Sequence, residues 1–233
     1  MATYALIPAA GSGTRIAGAQ PKQYRPLGGR PMLWHAIRAV CVPQVASVFV
    51  VLAPNDGLFA RQDWSAFGAL LQPLYCGGHT RRDSVYNALV ATSGLVDADD
   101  WMLVHDAARP CLPAADLRAL IAECEGDAIG GILAFAAADT VKSAAKDEAG
   151  VQRIAATQDR SQLWLAQTPQ MFRAGLLAQA LARAPATVTD EAAAIEALGL
   201  KPRLVPGSRE NLKVTYPEDV AIAEAILARR AGA

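Results

Sequence analysis

Residues 5–24 read ALIPAAGSGTRIAGAQPKQY. A short apolar run ends in a proline, small residues and glycines follow, and then come the cations Arg15 and Lys22. A buried strand that empties into a glycine-rich loop is where open α/β sheets hold phosphate. The two commonest loops of this kind fail on single residues. A Walker loop needs a lysine directly after its second glycine, and Thr14 and Arg15 follow Gly13 instead. A dinucleotide fingerprint needs a third glycine where Ile16 stands, and a β-branched side chain there obstructs close helix–strand packing. What is left is physical. Pro8, Ala9, Ala10 and Gly11 carry almost no side-chain bulk, so a flat base can lie on that backbone. Gly11, Ser12 and Gly13 can turn their N–H groups towards an anion. Gly18 and Pro21 break any helix that would set Arg15 and Lys22 on one face, which favours a loop carrying two cations over a triphosphate. Taken alone, the loop fits a plain turn with solvated charges equally well.

Working outward, the chain of 233 residues suits one α/β domain with a small appendage, and a hydrophobic content of 52% is enough for a buried core. The 22 basic and 22 acidic side chains cancel, so bulk charge points to neither nucleic acid nor an anionic membrane surface as partner. The N-terminus shows no basic segment leading into a long apolar one, and no apolar run approaches the roughly 18–20 residues of a membrane span. Cys41, Cys76, Cys111 and Cys124 are scattered, which reads as buried thiols rather than zinc ligands or disulfides. A soluble cytoplasmic protein is the expectation.

Strand-like runs at residues 4–7, 45–52, 71–75, 101–105, 128–134, 163–166 and 201–205 alternate with helix-like runs at 31–40, 81–92, 113–125, 173–184, 190–198 and 217–229. The strands are short and apolar on both faces, as in a covered parallel sheet. The alternation predicts a Rossmann-like, doubly wound, mostly parallel sheet with right-handed crossovers, forming a single domain over 1–233. Residues 138–160 break the rhythm. They read as two extended pieces about a charged turn at 146–150, with too few large apolar residues for a core. A projecting β-hairpin arm is expected; a bare surface excursion and a grip on a second subunit fit it equally.

Two further loops fall where strands should end. Gly77-Gly78-His79-Thr80-Arg81-Arg82-Asp83-Ser84 follows the third strand, and Asp106-Ala107-Ala108-Arg109-Pro110 follows the fourth. In parallel sheets ligands bind beyond the carboxyl ends of strands, so three such loops line one crevice. Individually each has a plain reading: a glycine turn, a capping aspartate, a surface ion pair at Arg109, packed or solvated histidines at 79 and 105. Near the C-terminus, Thr215 is a candidate cap for a helix opened by Pro217, leaving Lys213 to reach the sheet edge.

PAAGSGTR (8–15), PKQY (21–24), GGHTRRDSV (77–85), VHDAARP (104–110), DTVK (139–142), QDRSQLWLAQTPQMF (158–172), TDEA (189–192) and NLKVT (211–215) occur in this order over nearly the whole chain. In these pieces the chain resembles the 2-C-methyl-D-erythritol 4-phosphate cytidylyltransferases of the non-mevalonate isoprenoid pathway. The resemblance implies transfer of cytidylyl from CTP to methylerythritol phosphate, with release of diphosphate, and a need for Mg2+ held mainly by the CTP phosphates. No dedicated set of protein metal ligands is expected; Asp106 is the one carboxylate to consider. By the same resemblance, Pro8, Ala9, Ala10, Gly11, Gly13, Gly77 and Ser84 line the cytidine site, with Asp106 near the ribose and the second substrate. Arg15 and Lys22 match the pair that stabilises the transition state, and Arg160 and Lys213 match the residues that hold the substrate phosphate for attack. Thr140, Thr168 and Thr189 match positions around methylerythritol phosphate. The arm implies a homodimer, with Arg160, Thr140 and Thr168 candidates to serve the partner's site. Gln158 departs from the family, which is often apolar there, and no second, cyclodiphosphate synthase domain is expected after the last helix. A ribitol-phosphate or other polyol-phosphate cytidylyltransferase would share the cytidine loops and is the nearest rival. A nucleotide-binding regulatory module without transfer is the remote one, and the pairing of Arg15 with Lys22 speaks against it.

Overall fold

A computed structural model describes residues 1–11, 20–185 and 187–232. Gly13 and Arg15 lie outside the described residues. Strand β1 (Thr3–Pro8) is the axis of the molecule. After a small hairpin of β2 (Pro26–Leu27) and β3 (Arg30–Pro31), helix α1 (Met32–Val40) leads to β4 (Val45–Val51) and β5 (Leu71–Leu74). Helix α2 (Arg81–Ala91), β6 (Trp101–Val104), α3 (Ala114–Glu125) and β7 (Gly130–Ala136) follow. The chain then runs through β8 (Lys142–Lys146), β9 (Gln152–Thr157), β10 (Trp164–Arg173), α4 (Ala174–Arg183), α5 (Glu191–Glu196), β11 (Arg203–Pro206) and α6 (Pro217–Ala231).

Seven strands form one sheet in the order β11-β7-β10-β6-β1-β4-β5. Strand β1 pairs in parallel with both β4 and β6. Chain order therefore reverses at β1: β4 and β5 add on one side, β6 on the other. That reversal opens a crevice beyond the carboxyl ends of β1 and β6, where Pro8 and Asp106 stand. Alternation along the strands divides the core into two layers. Ala5, Ile7, Val48, Val50 and Leu103 pack with α1 and α3, whereas Leu6, Phe49, Val51, Met102 and Val104 pack with α2, α4 and α5. Each fully buried Val, Leu, Ile, Phe or Met side chain contributes about 1.5–3 kcal/mol. A smaller cluster of Leu27, Met32, Cys111, Val214 and Ala223 seats α6 beside the crevice.

The doubly wound sheet is as the sequence predicts, with one strand misjudged. The run expected to end at residue 166 continues as the ten-residue β10, which lies antiparallel between β6 and β7. Its register with β7 breaks between Ala166 and Gln170, and the unpaired stretch Gln167–Pro169 bulges at the crevice. A bulge re-aims side chains, and this one turns Thr168 onto the Asp106 loop. Pro31 and Pro113 precede their helices rather than opening them. The expected Thr215 cap is also replaced: the Asp219 carboxylate accepts from the N–H groups of Thr215 and Tyr216 at 2.7 and 2.8 Å, while the Thr215 hydroxyl turns back to donate to the Lys213 carbonyl at 3.1 Å.

The arm is a separate two-stranded sheet of β8 and β9. Its turn is tied by Asp147, whose carboxylate accepts from the N–H groups of Ala149 and Val151 and pairs with Arg153, with Gly150 at φ 78°. Every residue of β9 is exposed. All four cysteines are free, and among the described residues no helix is long and apolar enough to cross a membrane.

Candidate active site

Three adjoining hollows line the crevice. The first, about 470 Å³, lies between Pro8, Ala10 and Gly11 at the end of β1 and Gly78, His79, Thr80, Arg81 and Ser84 at the start of α2. Its width depends on Gly77 and Gly78. A Cβ on Gly77 would overlap the Ala10 methyl and lie 2.8 Å from the Leu52 carbonyl oxygen; one on Gly78 would overlap Asp83 Cβ. Glycine here lets two loops touch back to back. A Cβ on Gly11 would meet nothing within 4 Å, so that glycine is not required by protein packing.

Hydrogen bonds hold this hollow in shape. The Gly77 N–H donates to the Leu52 carbonyl at 2.8 Å. The Ser84 hydroxyl accepts from the Gly78 N–H at 3.0 Å and donates to the Thr80 carbonyl at 2.9 Å. Thr80 and Asp83 form a reciprocal capping box at the start of α2, an arrangement whose hydroxyl cap is worth about 1 kcal/mol. The α2 N-terminus therefore faces the hollow with its partial positive charge. On the other wall, Gln23 Nε2 donates to the Ala9 carbonyl at 2.7 Å and braces the flat Pro8–Gly11 segment from beneath.

The second hollow, about 150 Å³, joins Pro8, Ala9 and Gly11 to Lys22, Arg81, Asp106 and Lys213. The Lys22 ammonium donates to the Val214 carbonyl. The third, about 160 Å³, is more polar: Arg81, Asp106, Arg109, Gln167, Thr168, Gln170, Thr189, Asp190 and Lys213 surround it. Asp106 stands at the junction. Its Oδ1 accepts from Arg81 Nε at 3.0 Å, its Oδ2 lies 2.7 Å from Lys213 Nζ, and its N–H donates to Thr168 Oγ1 at 2.9 Å. Burial works against the charge, but Arg81, Lys213 and Arg109 outweigh it and hold the carboxyl well below the usual carboxylate range. Arg81 is in turn gripped by Glu191 through two parallel bonds, at 2.6 and 3.0 Å. Burial opposes its proton too, but Glu191 and Asp106 hold it more tightly than in water.

These hollows suit a nucleotide against the glycine wall and a second, polar, anionic substrate beyond Asp106. The model of the family described as "IspD: 2-C-methyl-D-erythritol 4-phosphate cytidylyltransferase" matches residues 3–229. The chain belongs to this family. It is thereby a nucleotidyltransferase of the cytidylyltransferase type. A 2-C-methyl-D-erythritol 4-phosphate cytidylyltransferase of Dechloromonas aromatica is 54% identical, over 97% of this chain and 98% of the other. One from Azoarcus sp. is 51% identical over 98% and 95%. A crystal structure of 4-diphosphocytidyl-2C-methyl-D-erythritol synthase superposes with a TM-score of 0.84 at 39% identity, covering 97% and 98% of the two chains. The Francisella tularensis 2-C-methyl-D-erythritol 4-phosphate cytidylyltransferase gives 0.80 at 34% identity, over 97% and 100%.

In this cytidylyltransferase the described residues expected at the site fall into two groups. Pro8, Ala9, Ala10, Gly11, Lys22, Gly77, Ser84, Asp106, Thr168, Thr189 and Lys213 converge on the crevice or its walls. Thr140 and Arg160 do not. Both are exposed at the root of the arm, where Arg160 Nη1 donates to the Ala138 carbonyl, and neither lines a hollow. Arg109, read as a surface ion pair, is instead 9% exposed and donates to the Asn211 carbonyl at 2.6 Å. Sequence reasoning passed over Arg81 and Glu191. Both lie inside quoted family pieces, 110 residues apart, and nothing in local spacing pairs them; only the fold brings the first residues of α2 and α5 within side-chain reach of each other.

Proposed function

We propose that this crevice joins CTP to 2-C-methyl-D-erythritol 4-phosphate, releasing diphosphate and forming 4-diphosphocytidyl-2-C-methyl-D-erythritol for the non-mevalonate route to isoprenoid precursors. The observation that carries the reading is the meeting of Asp106, Lys22 and Lys213 between a glycine-walled hollow and a polar one, in a chain of this family. The cytosine lies on Pro8–Gly11 against Gly77 and Ser84, and Gly13, outside the described residues, is assigned to CTP by the family resemblance alone. Methylerythritol phosphate occupies the polar hollow, near Asp106, Thr168, Thr189 and Lys213.

A phosphate oxygen of the acceptor attacks the α-phosphorus in line. The new P–O bond forms as the bond to the β-phosphate oxygen breaks, and diphosphate leaves with that electron pair. The attacking oxygen is already anionic, so no strong base is needed. The barrier is electrostatic, since two anions meet and charge grows on the α-phosphoryl oxygens and the leaving group. Fixed cations lower it without reorganising. Arg15 forks onto two oxygens and Lys22 acts as a compact charge, while Lys213 and Arg160 hold the acceptor's phosphate.

Magnesium fits as the companion of CTP. The carboxylates of the crevice are already engaged, Asp106 by Arg81 and Lys213, Glu191 by Arg81, and Asp190 by the Ala193 N–H and the Gln170 amide. Mg2+ favours substrate phosphates, its own waters and one or two carboxylates, so phosphate oxygens would hold it, with Asp106, at the junction of the hollows, the carboxylate to consider. When bound, it neutralises triphosphate charge.

The exposed arm supports a homodimer in which Thr140 and Arg160 complete the partner's site. Its surface carries Val151 and Ile154 at 47% and 69% exposure, and β10 beside it carries Leu165 at 50%. The cytoplasm is assigned on the sequence pattern. The test is diphosphate release from CTP and Mg2+ with methylerythritol phosphate or ribitol 5-phosphate as acceptor. Release with the first and at least tenfold less with the second is expected. The reverse preference, or nucleotide binding with no release, overturns the reading.

A further inference from the structure

Among the described residues, Arg81 alone lines all three hollows of the crevice. An arginine in that place could clamp phosphate, but each of its three nitrogens already faces a carboxylate. Nη1 and Nη2 meet the two oxygens of Glu191, and Nε meets Asp106 Oδ1. Glu191 is 1% exposed and its backbone is fixed. Asp190 Oδ1 accepts from the Ala193 N–H at 2.9 Å, Gln170 Oε1 accepts from the Ala192 N–H at 2.8 Å, and Gln170 Nε2 donates to Asp190 Oδ2 at 2.9 Å. At the other end, the capping box of Thr80 and Asp83 fixes the first turn of α2, where Arg81 begins the helix. A rigid relay thus runs Glu191–Arg81–Asp106–Lys213, each link an ion pair of 3.0 Å or less.

We propose that Glu191 and Arg81 are a positioning pair for the transfer reaction. Glu191 keeps the guanidinium off the substrates' phosphates and turned to Asp106, and Asp106, so held, aims Lys213 into the second-substrate hollow. This rests on the assignment of that hollow to methylerythritol phosphate. The pair adds no net charge to the site: Glu191 offsets Arg81, and around the polar hollow Asp106 and Asp190 offset Arg109 and Lys213, so the acceptor is met by directed donors rather than by surplus charge. Loss of the Glu191 charge would release Arg81 as a second phosphate-seeking cation in the wrong place, and let Asp106 turn.

The experiment compares Glu191→Gln with the wild-type protein at saturating CTP and Mg2+. The KM for methylerythritol phosphate should rise about tenfold and kcat fall about tenfold, as expected when a reacting group is misplaced by a fraction of an ångström, with the KM for CTP within about twofold of wild type. Glu191→Asp should recover part of the loss. In a Lys213→Ala background, Glu191→Gln should add little, since both act through one relay. Arg81→Gln, read by its KM for methylerythritol phosphate because Arg81 also lines the nucleotide hollow, should show the same rise and serves if Glu191→Gln does not fold. Unchanged KM values with only a lower melting temperature, or effects of Glu191→Gln and Lys213→Ala that multiply, would overturn the proposal. A wild-type protein inactive with methylerythritol phosphate would instead overturn the assignment of the hollow.

Discussion

Lys22 reaches the central hollow from a single helical turn, Lys22–Tyr24, set just before the small hairpin. It shares that hollow with Asp106 and Lys213, where the proposed reaction puts the α-phosphorus. Removing one preorganised donor at a developing oxyanion costs about 10²–10³ in rate. Lys22→Ala is therefore expected to lower kcat by that factor with the fold intact, and Arg15→Ala likewise; near-normal turnover in both would remove them from the chemistry. His105 is a different kind of residue. It is fully buried, with Nε2 3.0 Å from the Arg109 carbonyl and Nδ1 3.1 Å from Thr168 Oγ1. Burial pushes its pKa down to about 4, against the raising effect of the Arg109 carbonyl and Asp106. An unfolded histidine titrates near 6.5. Between these values the unfolded chain takes a proton that the folded chain refuses, so this group lowers stability as pH falls through that window, by up to about 3 kcal/mol. His105→Gln should narrow the gap between urea midpoints at pH 7.5 and pH 4.5. A gap equal to that of the wild type would show that His105 does not carry the slope.

The elements explain which parts of the site could be read in advance. The strand–loop units ending at Pro8, Gly77 and Asp106 are local in sequence, and each announces itself by apolar run, glycine and charge. The contact of Gly77 with Ala10 and Leu52 turns that pattern into a testable constraint. Gly77→Ala should cost about 1–3 kcal/mol through overpacking, lower the melting temperature by about 2–4 °C per kcal/mol in a domain of this size, and weaken CTP binding. Gly11→Ala, with open space at its Cβ, should leave the melting temperature within about 1 °C. Calorimetry of the pair decides; equal losses would mean the loops do not touch as described. Strand β10 was legible only in its first third. Its place between β6 and β7, antiparallel to both, is not written in its composition, since an apolar run does not state its direction. The Arg81–Glu191 link was hidden too, since it exists only once the fold brings the first turns of α2 and α5 within side-chain reach. The arm, by contrast, was visible in its poverty of large apolar residues. With every β9 residue exposed, its deletion removes little core. Replacing residues 142–157 by a short glycine turn should leave a folded chain that sediments as a monomer and transfers cytidylyl at below about 1% of the wild-type rate, since the loss of a positioned cation alone costs about 10²-fold. A truncated chain that remains a dimer would detach the arm from assembly.

For the whole molecule, the question is whether one chain holds a complete site. Lys213 pairs with Asp106 inside the crevice, whereas Arg160 stands exposed on the arm root and lines none of the hollows. If both hold the phosphate of one acceptor, they come from different subunits of a two-fold dimer. That geometry has a consequence that neither residue shows alone. Arg160→Ala and Lys213→Ala are each expected to be nearly inactive at low methylerythritol phosphate. In a heterodimer of the two variants, one site receives an intact Lys213 from its own chain and an intact Arg160 from its partner, while the other site loses both. Random exchange makes about half the dimers mixed, each with one working site, so unfolding and refolding an equal mixture should restore about a quarter of wild-type activity. Separately refolded variants, combined afterwards, should stay inactive until their subunits exchange. A mixture that never rises above its components would place Arg160 and Lys213 in the same chain's site, and would require the arm to fold back over its own crevice.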